Sequence, residues 1–186
     1  MLDINFSPFH NLETERLYLR RVVKEDVNEI FALRSDQEVM KYIPRPLVKT
    51  EEDAMAHIVM IDEKIDSNEG INWAITLKGN PSLIGIIGHY RIRPEHFRAE
   101  LGYMLLPEYQ GKGIISEAIK EVVHYGIEVM KLHSIEAIIA PENLASEKVL
   151  QKNGFVKEAH LRENEYYDGR FLDTVIYSIL NNTNFK

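Results

Sequence analysis

Over residues 14–23, TERLYLRRVV, apolar Leu17 and Leu19 alternate with Arg16, Tyr18 and Arg20, the period-two pattern of a half-buried strand. A strand is predicted there. The period then lengthens: Val27, Ile30, Phe31 and Leu33 recur at three-to-four spacing within residues 24–35, which predicts an amphipathic helix. A second helix is predicted over EEDAMAHIVMIDEKI, because Thr50 precedes it and acids fill its first turn, the chemistry that satisfies the free N–H groups of a helix start. Pro44 and Pro46 put a loop between the two helices.

Residues 72–77, 83–93 and 98–106 are short β-branched or aromatic runs separated by GNP and PEHF, which predicts an antiparallel meander. Residues 111–130 then carry two adjacent i,i+4 rows, Ile114, Ala118, Val122, Gly126 and Ile115, Ile119, Val123, Ile127, a wide helical stripe facing a core. The remaining chain reads as a strand over 134–140, a helix over 143–152, and strands over 154–159 and 171–180. This order predicts an α/β (α+β) fold with strand–helix–strand units in its second half.

Composition narrows the function. The chain has 186 residues, 45% apolar and 27% charged, which suits one globular domain over 1–186 with its core at about 12–180. The absence of cysteine excludes disulfides, thiolate metal sites and an acyl-cysteine intermediate, and suits a reducing compartment. The start MLDINFSPFH lacks the basic and long apolar regions of an export signal, and no apolar run approaches the roughly 20 residues of a membrane span; a cytoplasmic location is expected. With 22 basic against 29 acidic residues, net −7, and no basic block, direct nucleic-acid binding is not expected. No His, Asp or Glu spacing matches a metal site, and His89 and His96 form no set; no metal is expected.

The chemistry concentrates in residues 101–119, LGYMLLPEYQGKGIISEAI. A strand feeding a glycine turn and a helix start presents unpaired backbone N–H groups to an anion. A dinucleotide fingerprint would need glycine at Ser116, and a P-loop would need Ser or Thr at Gly113. Neither motif is present, and the stretch alone also reads as a simple glycine turn before a core helix.

Taken together with its neighbours, Gln110-Gly111-Lys112-Gly113-Ile114-Ile115 resembles the acetyl-CoA loop of the GNAT acetyltransferase superfamily, Gln/Arg-x-x-Gly-x-Gly/Ala, departing from it at Ile115. Ser116-Glu117-Ala118, Ala99-Glu100-Leu101-Gly102-Tyr103, Thr14-Glu15-Arg16-Leu17-Tyr18-Leu19-Arg20 and Asn143-Leu144-Ala145-Ser146 with Gly154-Phe155 resemble its ribosomal-protein N-acetyltransferase (RimJ/RimL-like) branch, in the same order. The resemblance implies a GNAT-like mixed, mostly antiparallel twisted sheet flanked by helices and splayed between two central parallel strands, with acetyl-CoA in the opening.

The resemblance also assigns roles. Main-chain N–H groups of Gly111, Lys112, Gly113, Ile114, Ile115 and Ser116 would hold the pyrophosphate, with Gln110 orienting the loop and Lys112 either assisting or simply solvated. Main-chain groups of Met104, Leu105 and Leu106, where the family strand bulges, would hold the thioester carbonyl and pantetheine. Asn143 would cap its helix and contact the cofactor. Many family members carry a tyrosine acid seven positions after this asparagine; that position is Leu150, so Ser146 becomes the general acid. Glu165 is the expected base and Glu100 its competitor, while Tyr166 and Tyr167 would wall the acceptor pocket or pack in the core.

An α-amine has a pKa of about 7.7–8.0 against about 10.4 for lysine, so freeing lysine at neutral pH costs roughly 3 kcal/mol more. A protein N-terminal α-amine, possible for a ribosomal protein as in the branch, is therefore the expected acceptor. A polyamine, amino sugar or antibiotic amine is the alternative within enzymes, and a catalytically silent acetyl-CoA-binding module the alternative outside them. Monomer and homodimer are both compatible with the sequence.

Overall fold

The computed structural model describes residues 1–181; the last five residues of the expected domain lie outside the described residues. The first predicted strand is trimmed at both ends to β2 (Leu17–Arg20), and an unpredicted two-residue strand, β1 (Leu12–Glu13), precedes it. Between them the Leu17 N–H donates to Thr14 Oγ1 at 3.0 Å and the Thr14 N–H to the Leu17 carbonyl at 3.0 Å, which closes a turn. After β2, buried Asp26 accepts from the Val23 N–H at 2.8 Å and pairs with Arg20 at 2.6 Å, so the chain turns instead of extending. The two predicted helices follow as α1 (Val27–Ser35) and α3 (Glu51–Asp66). Thr50 and Asp53 cap α3 reciprocally. Between them lies an unpredicted short helix, α2 (Gln37–Met40).

The meander forms as β3 (Ile71–Leu77), β4 (Asn80–Arg93) and β5 (Arg98–Leu105). Then come α4 (Ile114–Glu128), β6 (Ser134–Ile139), α5 (Leu144–Lys152), β7 (Val156–Tyr167) and β8 (Arg170–Leu180). All strands share one sheet of order β1-β2-β3-β4-β5-β6-β8-β7. Among the described residues β5–β6 is the parallel pair, and it holds only from Arg98↔Ser134 to Glu100↔Glu136. Beyond that register the two strands part, giving the expected central fork.

The last hairpin departs from expectation. β7 runs far past 159, and the segment 163–167 expected as a loop belongs to it. The physical reason is that most of β7 is exposed on both sides, including Val156, so an edge strand of this kind carries no hydrophobic alternation. Register shifts after Lys157 and between Leu161 and Glu165 break its pattern further.

One sheet face is covered by α1 and α3, whose Ile30, Leu33, Ala54 and Ile58 pack with Ala74, Leu83 and Ile86. The opposite face carries a larger cluster in which Ala118, Ile119 and Val122 of α4 join Trp73, Ile87, Leu101 and Ile135. No helix among the described residues is long and apolar enough to cross a membrane. Inside this core, His89 is fully buried, its Nε2 3.0 Å from the Val122 carbonyl. Burial pushes its pKa down to about 4, the Val122 hydrogen bond opposing. Below about pH 6.5 the unfolded chain binds a proton that this ring refuses, so stability is full above that pH and declines as pH falls towards 4. His89 alone is expected to account for about 2 kcal/mol of the stability lost between pH 7.5 and 5. Urea unfolding at the two pH values checks this, with His89→Gln losing about 2 kcal/mol less than wild type over the interval and the part due to His57 of α3, whose pKa burial also lowers to about 4, remaining.

Candidate active site

From the end of β5 the chain passes through a single turn at Pro107–Tyr109 and a loop to the start of α4. Gly111 and Gly113 have φ of 71° and 76°, a left-handed conformation that glycine adopts without Cβ strain. The Glu117 N–H bonds the Gly113 carbonyl at 3.1 Å, so the N–H groups of Ile114, Ile115 and Ser116 precede the first helical bond. They sit at the positive end of α4 beside a cavity of about 410 Å³. Backbone donors and helix dipole together suit a diphosphate.

The loop is held from outside by the β1–β2 turn. Arg16 Nη1 donates to the Lys112 carbonyl at 3.0 Å, and Arg16 Nε to Glu117 Oε2 at 2.6 Å. Glu117 Oε1 also accepts from Thr14 Oγ1 and the Arg16 N–H. Burial alone would raise the Glu117 pKa, but the bonds from Thr14 and Arg16 outweigh it and hold the carboxyl below its usual range. The Thr14-Glu15-Arg16 and Ser116-Glu117-Ala118 motifs, separate in sequence, are thus one clamp on the glycine loop. Only pairing of the two motifs in space reveals it.

Gln110, Gly111, Gly113, Ile114, Ile115, Ser116, Met104, Leu105, Asn143 and Ser146 all line the same cavity. Gln110 Nε2 donates to the Leu105 carbonyl at 3.1 Å, tying loop to strand. Lys112 is not among the residues lining the cavity, and its Nζ lies 5.5 Å from the ring centre of Tyr109, which is. The Ser116 hydroxyl accepts from Asn153 Nδ2 at 3.0 Å, which leaves its main chain as the group facing the cavity.

Two expectations about β5 need correction. The β4–β5 ladder is regular from Gly85↔Leu105 to Tyr90↔Glu100, with no bulge at Met104 to Leu106. The Leu106 N–H donates to the Ile84 carbonyl at 2.9 Å, and strand alternation aims the Met104 main chain at β4 as well. The main-chain groups that open to the fork are therefore those of Tyr103 and Leu105. Leu106 itself packs beneath α1 and α3 and is not part of the cavity wall.

Across the fork, Asn143 Oδ1 accepts from the Ser146 N–H at 3.1 Å and caps α5. Ser146 faces the Tyr103 hydroxyl, which is buried and lacks a hydrogen bond of regular geometry. Burial pushes the Tyr103 pKa up to about 12, Ser146 opposing. Leu150 is fully buried in the core and offers no proton. Tyr103 ends the Glu100-Leu101-Gly102-Tyr103 motif, but the resemblance gave it no role, and α2, whose Glu38 and Val39 add to the wall, is too short for periodicity. Its only signal was Asp36, which caps α2 by accepting from the Glu38 and Val39 N–H groups at 2.8 and 2.9 Å.

The base candidates meet at the apex of the fork. Glu100, at the last β5–β6 register pair, accepts from Arg91 Nη1 at 2.8 Å. Burial pushes its pKa up, Arg91 pulls it back, and Glu136 and Glu165 add to the rise. Glu165 is not a loop residue: it pairs with Leu172 in β7, just beyond the bulge, and is near enough to act on Glu100. Tyr166 forms neither pocket wall nor core; it is 66% exposed, its ring edge-on to Phe171 at 5.1 Å. A second hollow of about 570 Å³, lined by residues including Arg93, His133 and Glu158, lies at the other end of β5 and β6 and has no glycine loop. Among the described residues no group of three or more His, Asp or Glu could hold a metal ion.

A family model described as an acetyltransferase (GNAT) domain matches residues 16–156. The chain belongs to the GNAT acetyltransferases. It is 38% identical over 172 residues to the uncharacterized N-acetyltransferase YoaA of Bacillus subtilis, covering 92% of this chain and 97% of that one. The ribosomal-protein-S5-alanine acetyltransferase structure from Vibrio fischeri superposes with a TM-score of 0.82 at 26% identity, covering 94% and 98% of the two chains. A spermidine N-acetyltransferase from Vibrio cholerae, solved with CoA and spermine, superposes with 0.79 at 26% identity, covering 90% and 96%. As a GNAT enzyme, the protein uses acetyl-CoA as its acetyl donor.

Proposed function

We propose that this GNAT enzyme acetylates a primary amine at a peptide N-terminus, with the acceptor entering from the Glu100 side of the fork. The observation that supports the reading is the cavity beside the fork, lined by the glycine loop, Tyr103 and Ser146, with Glu100 at the last register pair before β5 and β6 part. The N–H groups of 111–116 hold the diphosphate, and those of Tyr103 and Leu105 face the thioester carbonyl, where such donors stabilise an oxyanion by about 3–4 kcal/mol each. The raised Glu100 pKa makes it a better base than an ordinary carboxylate, so it takes the proton of the attacking amine, with Glu165 tuning it. Ser146, backed by Tyr103, returns a proton to the departing CoA sulfur.

An α-amine needs the weaker base, and the V. fischeri protein of the same fold is a ribosomal-protein-S5-alanine acetyltransferase. The carboxylates Glu100, Glu136 and Glu165 at the apex favour a second reading, a polyamine acceptor like the spermine held in the V. cholerae structure. CoA release measured with peptides, spermidine and aminoglycosides separates them. Peptides bearing a free N-terminus are expected to exceed spermidine at least about tenfold in kcat/KM, a difference of about 1.4 kcal/mol. Faster turnover of spermidine reverses the assignment, and acetyl-CoA binding with no CoA release above background for any amine supports a silent acetyl-CoA-binding module.

A further inference from the structure

Arg16, Arg20, Arg21, Arg91 and Arg98 each pair with a carboxylate. Arg34, in the last turn of α1, does not: among the described residues it makes no ion pair, and its Nε is buried without a hydrogen-bond partner. Its ionisable neighbours are Tyr90 of β4, Arg45 of the loop after α2 and His57 of α3. None is an anion. Burial, followed by the neighbouring Arg34 and Lys64 cations, pushes the His57 pKa down to about 4, so the imidazole is neutral at physiological pH. Burial lowers the Arg34 pKa too, with Tyr90 opposing and Arg45 adding, yet a guanidinium keeps its proton. A desolvated, unpaired cation beside a second arginine is unfavourable for the folded chain, and such arrangements concentrate where a ligand supplies the missing charge.

The location joins this cation to the acceptor side. Tyr90 lies opposite Glu100 in the β4–β5 register. Its ring covers Gly102 so closely that a Cβ there would stand 2.9 Å from it. Tyr90 interacts electrostatically with both Arg34 and Glu100. α1 packs against β4, so Arg34 is an electrostatic neighbour of Tyr90, and Tyr90 is the register partner of Glu100 at the apex of the fork.

We propose that Arg34, with Arg45 at its rim, binds an anionic oxygen group, carboxylate or phosphate, carried by the acceptor whose amine is presented to Glu100. The inference rests on the reading of the Glu100 side as the acceptor site. A guanidinium fork binds either group bidentately, and a simple polyamine has nothing to offer it.

The test compares Ser-Glu and Ser-Gln peptides of otherwise equal sequence, and phosphoethanolamine with ethanolamine, on wild type, Arg34→Gln and Arg34→Lys. Wild type is expected to favour the anionic member of at least one pair about tenfold or more in kcat/KM, the pair showing which anion is used. Arg34→Gln should erase that preference through KM, leaving the neutral member and acetyl-CoA affinity unchanged, and Arg34→Lys should restore part of it. Because Arg34 supports no partner, Arg34→Gln should also keep or raise Tm, whereas a structural arginine would lower it. Calorimetric titration of the CoA-bound protein with the same compounds reads the contact without turnover. An inactive protein that still distinguishes the pairs through Arg34 would overturn the catalytic reading and keep this one. Equal treatment of both pairs by wild type, or a preference untouched by Arg34→Gln, overturns it.

Discussion

Gly113→Asp is expected to weaken acetyl-CoA binding by at least about a hundredfold while the protein stays folded. Gly113 is the N-cap of α4 and has positive φ. A carboxylate placed there meets the diphosphate at close range, where two unit charges 4 Å apart repel by about 4 kcal/mol at an effective dielectric of 20, more than enough for that loss. For the apo protein the change is mild, because aspartate is a favoured N-cap and the left-handed conformation costs about 1–2 kcal/mol. Gly113→Asn has the same shape without the charge and tolerates positive φ better. It is expected to lose less than tenfold, which separates charge from backbone strain. Calorimetry of both variants, with Tm measured alongside, checks the pair.

Ser146→Ala is expected to lower kcat by about 100-fold or more, the range of a positioned acid, with acetyl-CoA affinity retained because the Asn143 cap bonds the Ser146 main chain and not its hydroxyl. The Tyr103 phenol facing this serine has no counterpart in the expected proton path. Tyr103→Phe should therefore reduce kcat less than Ser146→Ala, and the double variant should fall no further than the serine variant alone. Single-turnover rates with the best acceptor decide it. An unchanged rate in Ser146→Ala would assign the proton to Tyr103 or to water.

The central meander, the long helices and the phosphate-type loop were legible because their signals are local. Thr50 capping α3 and the two apolar rows of α4 state their structure within a few turns. The fork followed from the family resemblance, and no local pattern foretold that β5 and β6 part after Glu100. β7 escaped because a polar edge strand shows no alternation, and α2 because four residues make barely one turn. The site residues that were missed share another cause. Tyr103 looks like strand filler, Arg16 like a surface charge ahead of β2 and Arg34 like the polar side of α1 until distant segments pack around them. Conversely, Leu106 belonged to the right motif, but the parity of the β5 ladder turned its N–H to β4.

The central claim is that the amides of residues 111–116 grip the diphosphate of acetyl-CoA. Amide chemical shifts followed by nuclear magnetic resonance during titration with CoA, and then with pantetheine, address those atoms one by one. CoA is expected to move the Gly111 to Ser116 amides more than any others, and pantetheine, which has no diphosphate, to leave them in place. If CoA binds while those amides stay unmoved, the grip lies elsewhere and the claim fails.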